Sequence, residues 1–123
     1  MPAGNQKQLL GQEGERLAER YLKKKGYRLV ERNYRCPAGE LDLIALDRHV
    51  IVFVEVKTRT DDRFGGPLDS VHWRKQQRMI RAAQFFLSQK SLHQREARFD
   101  VVGVSFVDQK PVVEHIQNAF EFF

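Results

Sequence analysis

The sequence predicts a mixed α/β domain: one central sheet flanked by helices, in the order αβββαββ. Three observations lead there. Two segments repeat apolar residues at helical spacing, five shorter runs are rich in Val, Ile, Leu and Phe, and clusters of Gly, Pro and Asp punctuate them. The chain has 123 residues, enough for one domain, spanning 1–123, with a core of its own. No internal repeat or linker divides it.

The elements follow in order. From about Gln6 to Lys25, Leu10, Gly14, Leu17, Ala18, Tyr21 and Leu22 form one apolar stripe. Lys23, Lys24 and Lys25 suit the negative end of this helix, and Gly26 suits its stop. Gly11 and Gly14 lower its intrinsic propensity. Tyr27–Arg35 reads as a strand, and Cys36-Pro37-Ala38-Gly39 as a loop. Glu40–Leu46 and Val50–Thr58 read as a hairpin turning around Asp47-Arg48-His49. "TDDRFGGPLDS" is a polar loop, and Asp69 or Ser70 is the expected cap of a second helix reaching about Lys90. Arg98–Val107 and Pro111–Ile116 read as a last hairpin, and the apolar tail "NAFEFF" is expected to pack, on this chain or on a partner.

Composition narrows the function. Lys and Arg number 21 against 16 Asp and Glu, a formal charge of +5, which favours an anionic partner such as nucleic acid. One cysteine excludes an internal disulfide framework and fits a reducing compartment. The apolar runs are too short to span a bilayer, and the first residues lack the apolar centre of a secretory signal. A cytoplasmic location is the expectation. No P-loop or GxGxxG is present, and the scattered His49, His93 and His115 argue against a histidine metal site.

The central hairpin, "GELDLIALDRHVIVFVEVKTR", carries the chemistry. Ile51, Phe53, Glu55 and Lys57 share one face of their strand, and the intervening valines share the other. A two-residue loop at Arg48-His49 would oppose Leu46 to Ile51, Ile44 to Phe53, Asp42 to Glu55 and Glu40 to Lys57. It would also gather Ala45, Val52, Leu43, Val54, Leu41 and Val56 on an apolar reverse face. A one-residue slip would mix the faces, so this register is favoured, although Arg48-His49 is not a preferred turn pair.

Asp42 and Glu55 would then sit about 5 Å apart at Cβ. At an effective dielectric of about 20, they repel by roughly 3 kcal/mol. A hard divalent cation, Mg²⁺ or Mn²⁺, would relieve that. The plainer alternative is a cross-strand salt bridge at a sheet edge, with Glu40 on Lys57 and Asp42 in water.

Asp42, thirteen positions before Glu55-Val56-Lys57, resembles the active-site pattern of the PD-(D/E)XK nuclease superfamily. The strings "EGERLAERYLKKKGY", "ERNYRCPAGELDLIALD", "FVEVKTR", "FGGPLDSVHWRKQQRMIRAAQFFL" and "RFDVVGV" together resemble the YraN-type family of bacterial proteins. That family is similar to archaeal Holliday-junction resolvases. The resemblance implies a single restriction endonuclease-like domain and metal-dependent hydrolysis of phosphodiester bonds, in structured or branched DNA rather than RNA. Leu41 stands where the superfamily's nominal proline would precede the aspartate. The resolvase-like members carry a glutamate on the first helix, which matches Glu15. By helical phase Glu15 lies at the border of the apolar stripe, and it is otherwise a surface glutamate beside Arg16 and Glu19.

The resemblance also implies roles. Asp42 and Glu55, with the Val56 carbonyl, would hold Mg²⁺ or Mn²⁺. Lys57 would orient the attacking water, help deprotonate it, or stabilise the transition state. Glu40 is either an acid behind the ligands or the partner of Lys57. Gln76 resembles the helical glutamine that assists the site in some of these nucleases.

Arg74, Arg78 and Arg81 fall on one helical stripe and, with Arg59 and Lys75, are candidate contacts to nucleic acid; a solvated face is the alternative. Lys75 and Gln76 flank the side bearing Met79, Ala82, Ala83 and Phe86, which should approach the catalytic face. The glycines of the 60–70 loop suit a substrate-binding segment. His72 and Trp73 could contact a base or sugar, with simple packing the favoured reading for Trp73. A nuclease this small cuts one strand at a time unless it pairs, which makes a homodimer a candidate assembly. Two other classes stay open: a nucleic-acid-binding module without turnover, and a structural assembly protein using "AFEFF".

Overall fold

A computed structural model describes residues 6–59 and 71–121. The order is α1 (Gln6–Lys24), β1 (Arg28–Cys36), β2 (Gly39–Asp47), β3 (Val50–Arg59), α2 (Trp73–Gln89), β4 (Ala97–Val107) and β5 (Lys110–Phe120). The five strands form one mixed sheet in the spatial order β1-β2-β3-β4-β5. All neighbours are antiparallel except β3 and β4, which α2 joins as a parallel crossover. The expected αβββαββ fold is therefore observed.

Each face of the sheet has its own core. Under α2 lie Ile44, Ile51, Phe53 and Phe99, against Met79, Ala82, Ala83 and Phe86. Under α1 lie Leu43, Ala45, Val52, Val54, Val102 and Val104, against Ala18 and Leu22. The valine alternation of β3 thus gives each helix one apolar surface. Gly14 has a specific reason to be glycine: an added Cβ would fall 1.8 Å from Thr58 Oγ1. The missing side chain lets α1 sit directly on β3.

The β2–β3 register is the expected one. Asp47 opposes Val50, Leu46 opposes Ile51, Ile44 opposes Phe53, and Leu43 opposes Val54. The Arg48-His49 turn is realised with Arg48 at φ 59°, so a non-glycine residue takes the left-handed conformation the tight loop demands.

Four expectations are corrected. The β2–β3 ladder ends at Leu43–Val54, so Asp42 and Glu55, Leu41 and Val56, and Glu40 and Lys57 are not ladder partners. Leu41 joins Tyr34 and Phe53 under α2 instead of the valines. Next to its partner Tyr34, Asn33 has φ 50°, which breaks the alternation of β1: Arg32 meets Glu19 of α1, whereas Tyr34 bonds Gln89 of α2.

The cap of α2 is His72, not Asp69 or Ser70, which lie outside the described residues. His72 has extended backbone, and its Nδ1 accepts the Arg74 N–H at 3.3 Å. Trp73 is 65% exposed rather than packed, because it opens the helix ahead of Met79, where the buried residues of α2 begin. From the apolar tail, Phe120 stacks on Phe99 at 4.6 Å between centroids, within this chain's own core; Phe122 and Phe123 lie outside the described residues.

Asp100 is fully buried and fully partnered. It accepts from Arg98 Nε at 2.9 Å, from His115 Nε2 at 2.8 Å and from the Asn118 N–H at 3.0 Å. Lys25 Nζ donates to His115 Nδ1 at 3.1 Å. An ammonium only donates, so Nδ1 accepts and the ring proton sits on Nε2, facing Asp100. Burial by itself would raise the Asp100 pKa; the hydrogen bonds from His115, Arg98 and Asn118 outweigh it and hold the carboxyl below its ordinary value.

Candidate active site

The end of the β2–β3 ladder is a fork. Beyond Leu43, β2 stays paired with β1 through Cys36–Gly39. Beyond Val54, β3 stays paired with β4 through Arg59–Ser105. The register would next pair Val56 with Leu41. The Val56 N–H instead donates to Asp42 Oδ2 at 2.8 Å. A side-chain carboxylate has taken the place of a strand carbonyl, which satisfies the backbone donor where the strands part.

This bond holds Asp42 near the plane of the sheet, within reach of both faces. From the α2 side comes Glu55, only 4% exposed, at the level of Val101 in the centre of the sheet. Asp42 has its pKa pushed up to about 7. Burial is the main cause and the Glu55 charge the second, and a protonated Asp42 also donates a hydrogen bond to Glu55; the Val56 N–H and the Lys75 charge pull the other way. From the α1 side comes Glu15, whose carboxyl is raised by burial and then by the charges of Asp42 and Glu40. The seating of Gly14 on Thr58 brings Glu15 this close.

The remaining candidates divide. Lys57 is half-buried in the same row as Glu55. Lys75, expected to contact nucleic acid, forms an ion pair with Glu55 through Nζ and Oε2. The sequence placed Lys75 on the side of α2 that approaches the site, but only the fold showed its partner. Gln76 donates its amide to the Val71 carbonyl at 2.8 Å, so it braces the start of α2. Glu40 is exposed and pairs with Arg35 across the β1–β2 ladder at 3.2 Å. Arg74, Arg78 and Arg81 are all exposed, and Arg59 is half-buried. Arg78 lies over the β1–β2 turn, its Cβ within 3.7 Å of where a Gly39 side chain would begin. The 60–70 loop lies outside the described residues. Among the described residues, no three His, Cys, Asp or Glu side chains gather as a metal-ligand group, and no helix is long and apolar enough to cross a membrane.

Fold and site together define an α/β domain whose central sheet opens around an acidic pair, Glu55 buried and Asp42 half-buried, with an exposed arginine stripe on the adjoining helix. Residues 14–104 match the family model described as "Uncharacterised protein family UPF0102", and the chain belongs to that family. This bears out the YraN-type resemblance at the level of the family. The UPF0102 protein of Caldanaerobacter subterraneus subsp. tengcongensis is 44% identical over 117 residues, 93% of this chain and 96% of the relative. That of Geotalea uraniireducens is 49% identical over 113 residues, 91% of this chain and 89% of the relative. Among solved structures, Pyrococcus furiosus SfsA in complex with Ca²⁺ matches with a TM-score of 0.40 and 15% identity, over 90% of this chain and 63% of that one. So distant a likeness carries no argument.

Proposed function

We propose that this chain is a metal-dependent nuclease of the restriction endonuclease-like, PD-(D/E)XK type, hydrolysing phosphodiester bonds in structured or branched DNA. The observation that carries the reading is the acidic pair in the fork. Burial first, and the Glu55 charge beside it second, hold the Asp42 proton to about pH 7. Protein folds rarely keep such a pair without a use for it.

The donor set fits the cation. Mg²⁺ keeps several waters and needs only one or two protein carboxylates beside substrate phosphate, so two carboxylates suffice without a third ligand. Asp42 and Glu55 would hold Mg²⁺ or Mn²⁺, with the Val56 carbonyl as a further oxygen. Such an ion, when bound, lowers the pKa of a water and polarises the phosphate. Lys57 points from the same row and would steer the attacking water or meet the developing charge. Glu15 approaches from the other face and would orient a water of the ion. Arg59, Arg74, Arg78 and Arg81 would bind flanking phosphates. A homodimer would allow both strands to be addressed.

Incubation with branched, flapped and linear DNA, with and without Mg²⁺ or Mn²⁺, tests the proposal. Asp42→Ala and Glu55→Ala should each reduce cutting by roughly 10²-fold or more, the usual effect of removing a charge-stabilising group from a catalytic centre. Metal-dependent cutting that survives either substitution overturns the site. A second reading, a binding module without turnover, is favoured by Lys75: its ammonium already neutralises Glu55 from within the chain. That reading expects binding with a steep salt slope and no product.

A further inference from the structure

Trp73 is 65% exposed at the first position of α2, two residues before Lys75, which reaches Glu55. Arg74 follows it directly. Arg74, Arg78 and Arg81 are exposed along the following turns, a track of about 12 Å from Trp73 to Arg81. An isolated surface aromatic needs no explanation. This one differs because it opens the helix that carries the exposed Arg74, Arg78 and Arg81 and whose Lys75 pairs with Glu55. A flat indole next to guanidinium groups that hold phosphates is the arrangement by which proteins grip unpaired nucleotides: the ring takes a base, the arginines take the backbone.

We infer that Trp73 is a stacking platform for an unpaired base, so the partner class of this surface is nucleic acid with single-stranded character, such as a junction, flap or loop. This deepens the nucleic-acid reading above and rests on it. A base in a continuous duplex is stacked on both sides and offers no free face; a base released at a branch does. Trp73 would select where on a branched molecule the chain settles, while the arginines supply attraction indifferent to sequence.

The test needs no catalysis. The chain holds a single tryptophan, so intrinsic fluorescence reports on Trp73 alone. In EDTA, titration with a short thymine oligonucleotide should quench and saturate the emission, in DNA and RNA versions compared side by side; blunt duplex DNA should change it little. By anisotropy with a labelled oligonucleotide, Trp73→Ala should weaken single-strand binding by roughly 5- to 150-fold. Trp73→Phe should retain most of it, and blunt-duplex binding should be unchanged in both. Single-strand binding by Trp73→Ala equal to wild type, or unquenched emission at saturation, overturns the inference. The two readings fail separately. Quenching without metal-dependent cutting removes the nuclease and keeps the platform. Cutting by Trp73→Ala at the wild-type rate and with the same substrate preference removes the platform and keeps the nuclease. Thermal melting of both variants at the wild-type temperature establishes that an exposed side chain, not the fold, was changed.

Discussion

Asp42→Asn should stabilise the metal-free protein, and only above a definite pH. Asn is close in shape to a protonated Asp: its oxygen can still accept the Val56 N–H, and its amide can donate to Glu55 as the protonated acid does. The wild-type carboxyl has its folded pKa raised from 3.8 to about 7. A raised acid binds its proton more tightly in the native state. Its stabilising contribution is therefore complete below 3.8, declines as pH rises from there, and is lost once pH passes about 7. At about 1.4 kcal/mol per pH unit, the gap corresponds to about 4 kcal/mol, and relaxation with water entry brings the expected loss to about 2–4 kcal/mol. Urea denaturation in EDTA should show the variant and wild type equally stable near pH 4, with the variant ahead by that margin near pH 8. Mg²⁺ should then narrow the gap, stabilising wild type by about 2.7 kcal/mol at a hundredfold excess over its Kd and leaving Asp42→Asn unmoved. A difference that stays flat between about pH 4 and 8, or a less stable variant near pH 8, refutes the account of Asp42 as a carboxyl strained by its burial and by Glu55.

Further outcomes follow from the same geometry. Lys75→Gln removes the ammonium that a metal must displace from Glu55, so apparent Mg²⁺ affinity, read by thermal shift, should rise by several-fold, about 1 kcal/mol for a pair whose lysine is 43% exposed. Gly14→Ala should destabilise by about 1–3 kcal/mol despite alanine's better helix propensity, because its Cβ would collide with Thr58 Oγ1; Thr58→Ala should recover part of the loss in urea denaturation. Asp100→Asn removes one of the two carboxylates that face Arg98, which keeps Asp47 at 3.1 Å, and should cost about 1–3 kcal/mol at neutral pH. The Asp100 pKa is depressed in the folded state, so its contribution is present above the ordinary carboxylate value and lost as pH falls through the folded one. The gap between wild type and Asp100→Asn, followed by circular dichroism, should therefore shrink on acidification.

Much of this was legible in the sequence because it depends on periodicity. The β2–β3 register could be read because a one-residue slip would have set Asp42 among the valines, and the structure follows that register from Asp47–Val50 to Leu43–Val54. The side of α2 that meets the sheet was legible for the same reason: Met79, Ala82, Ala83 and Phe86 are all buried. What could not be read are interactions that break a period. Nothing in "GELDLIALD" says that the Asp42 side chain will stand in for a strand carbonyl, and without that bond the ladder would have run on to Glu40 and Lys57. Asn33 at φ 50° flips Tyr34 and Leu41 by the same kind of local exception. The ion pair of Lys75 and the hydrogen bond between His115 and Asp100 join residues far apart in the chain, and no spacing rule reaches them. Trp73 was misread because an indole is ordinarily core material, whereas its place at the first position of α2 puts it beyond the core stripe.

The fork also explains why the carboxylates sit where they do. A sheet centre is the part of a domain where backbone groups must be paired and ionised groups are least tolerated. Parting two strands there exposes backbone donors and leaves a gap, and both would be destabilising if left empty. Asp42 addresses both at once: one oxygen satisfies the Val56 N–H, and the carboxyl fills the opening. The consequence is that Asp42 is held against Glu55 whether or not the pairing favours stability, and its proton affinity near pH 7 measures the strain. Lys75 from one face pairs with Glu55 and only partly offsets the rise at Asp42, while Glu15 from the other adds a further carboxyl. A fold selected for stability alone would carry an asparagine at position 42, which keeps the bond to Val56 without the charge. Retention of an aspartate there is the physical reason to look for a cation between β2 and β3.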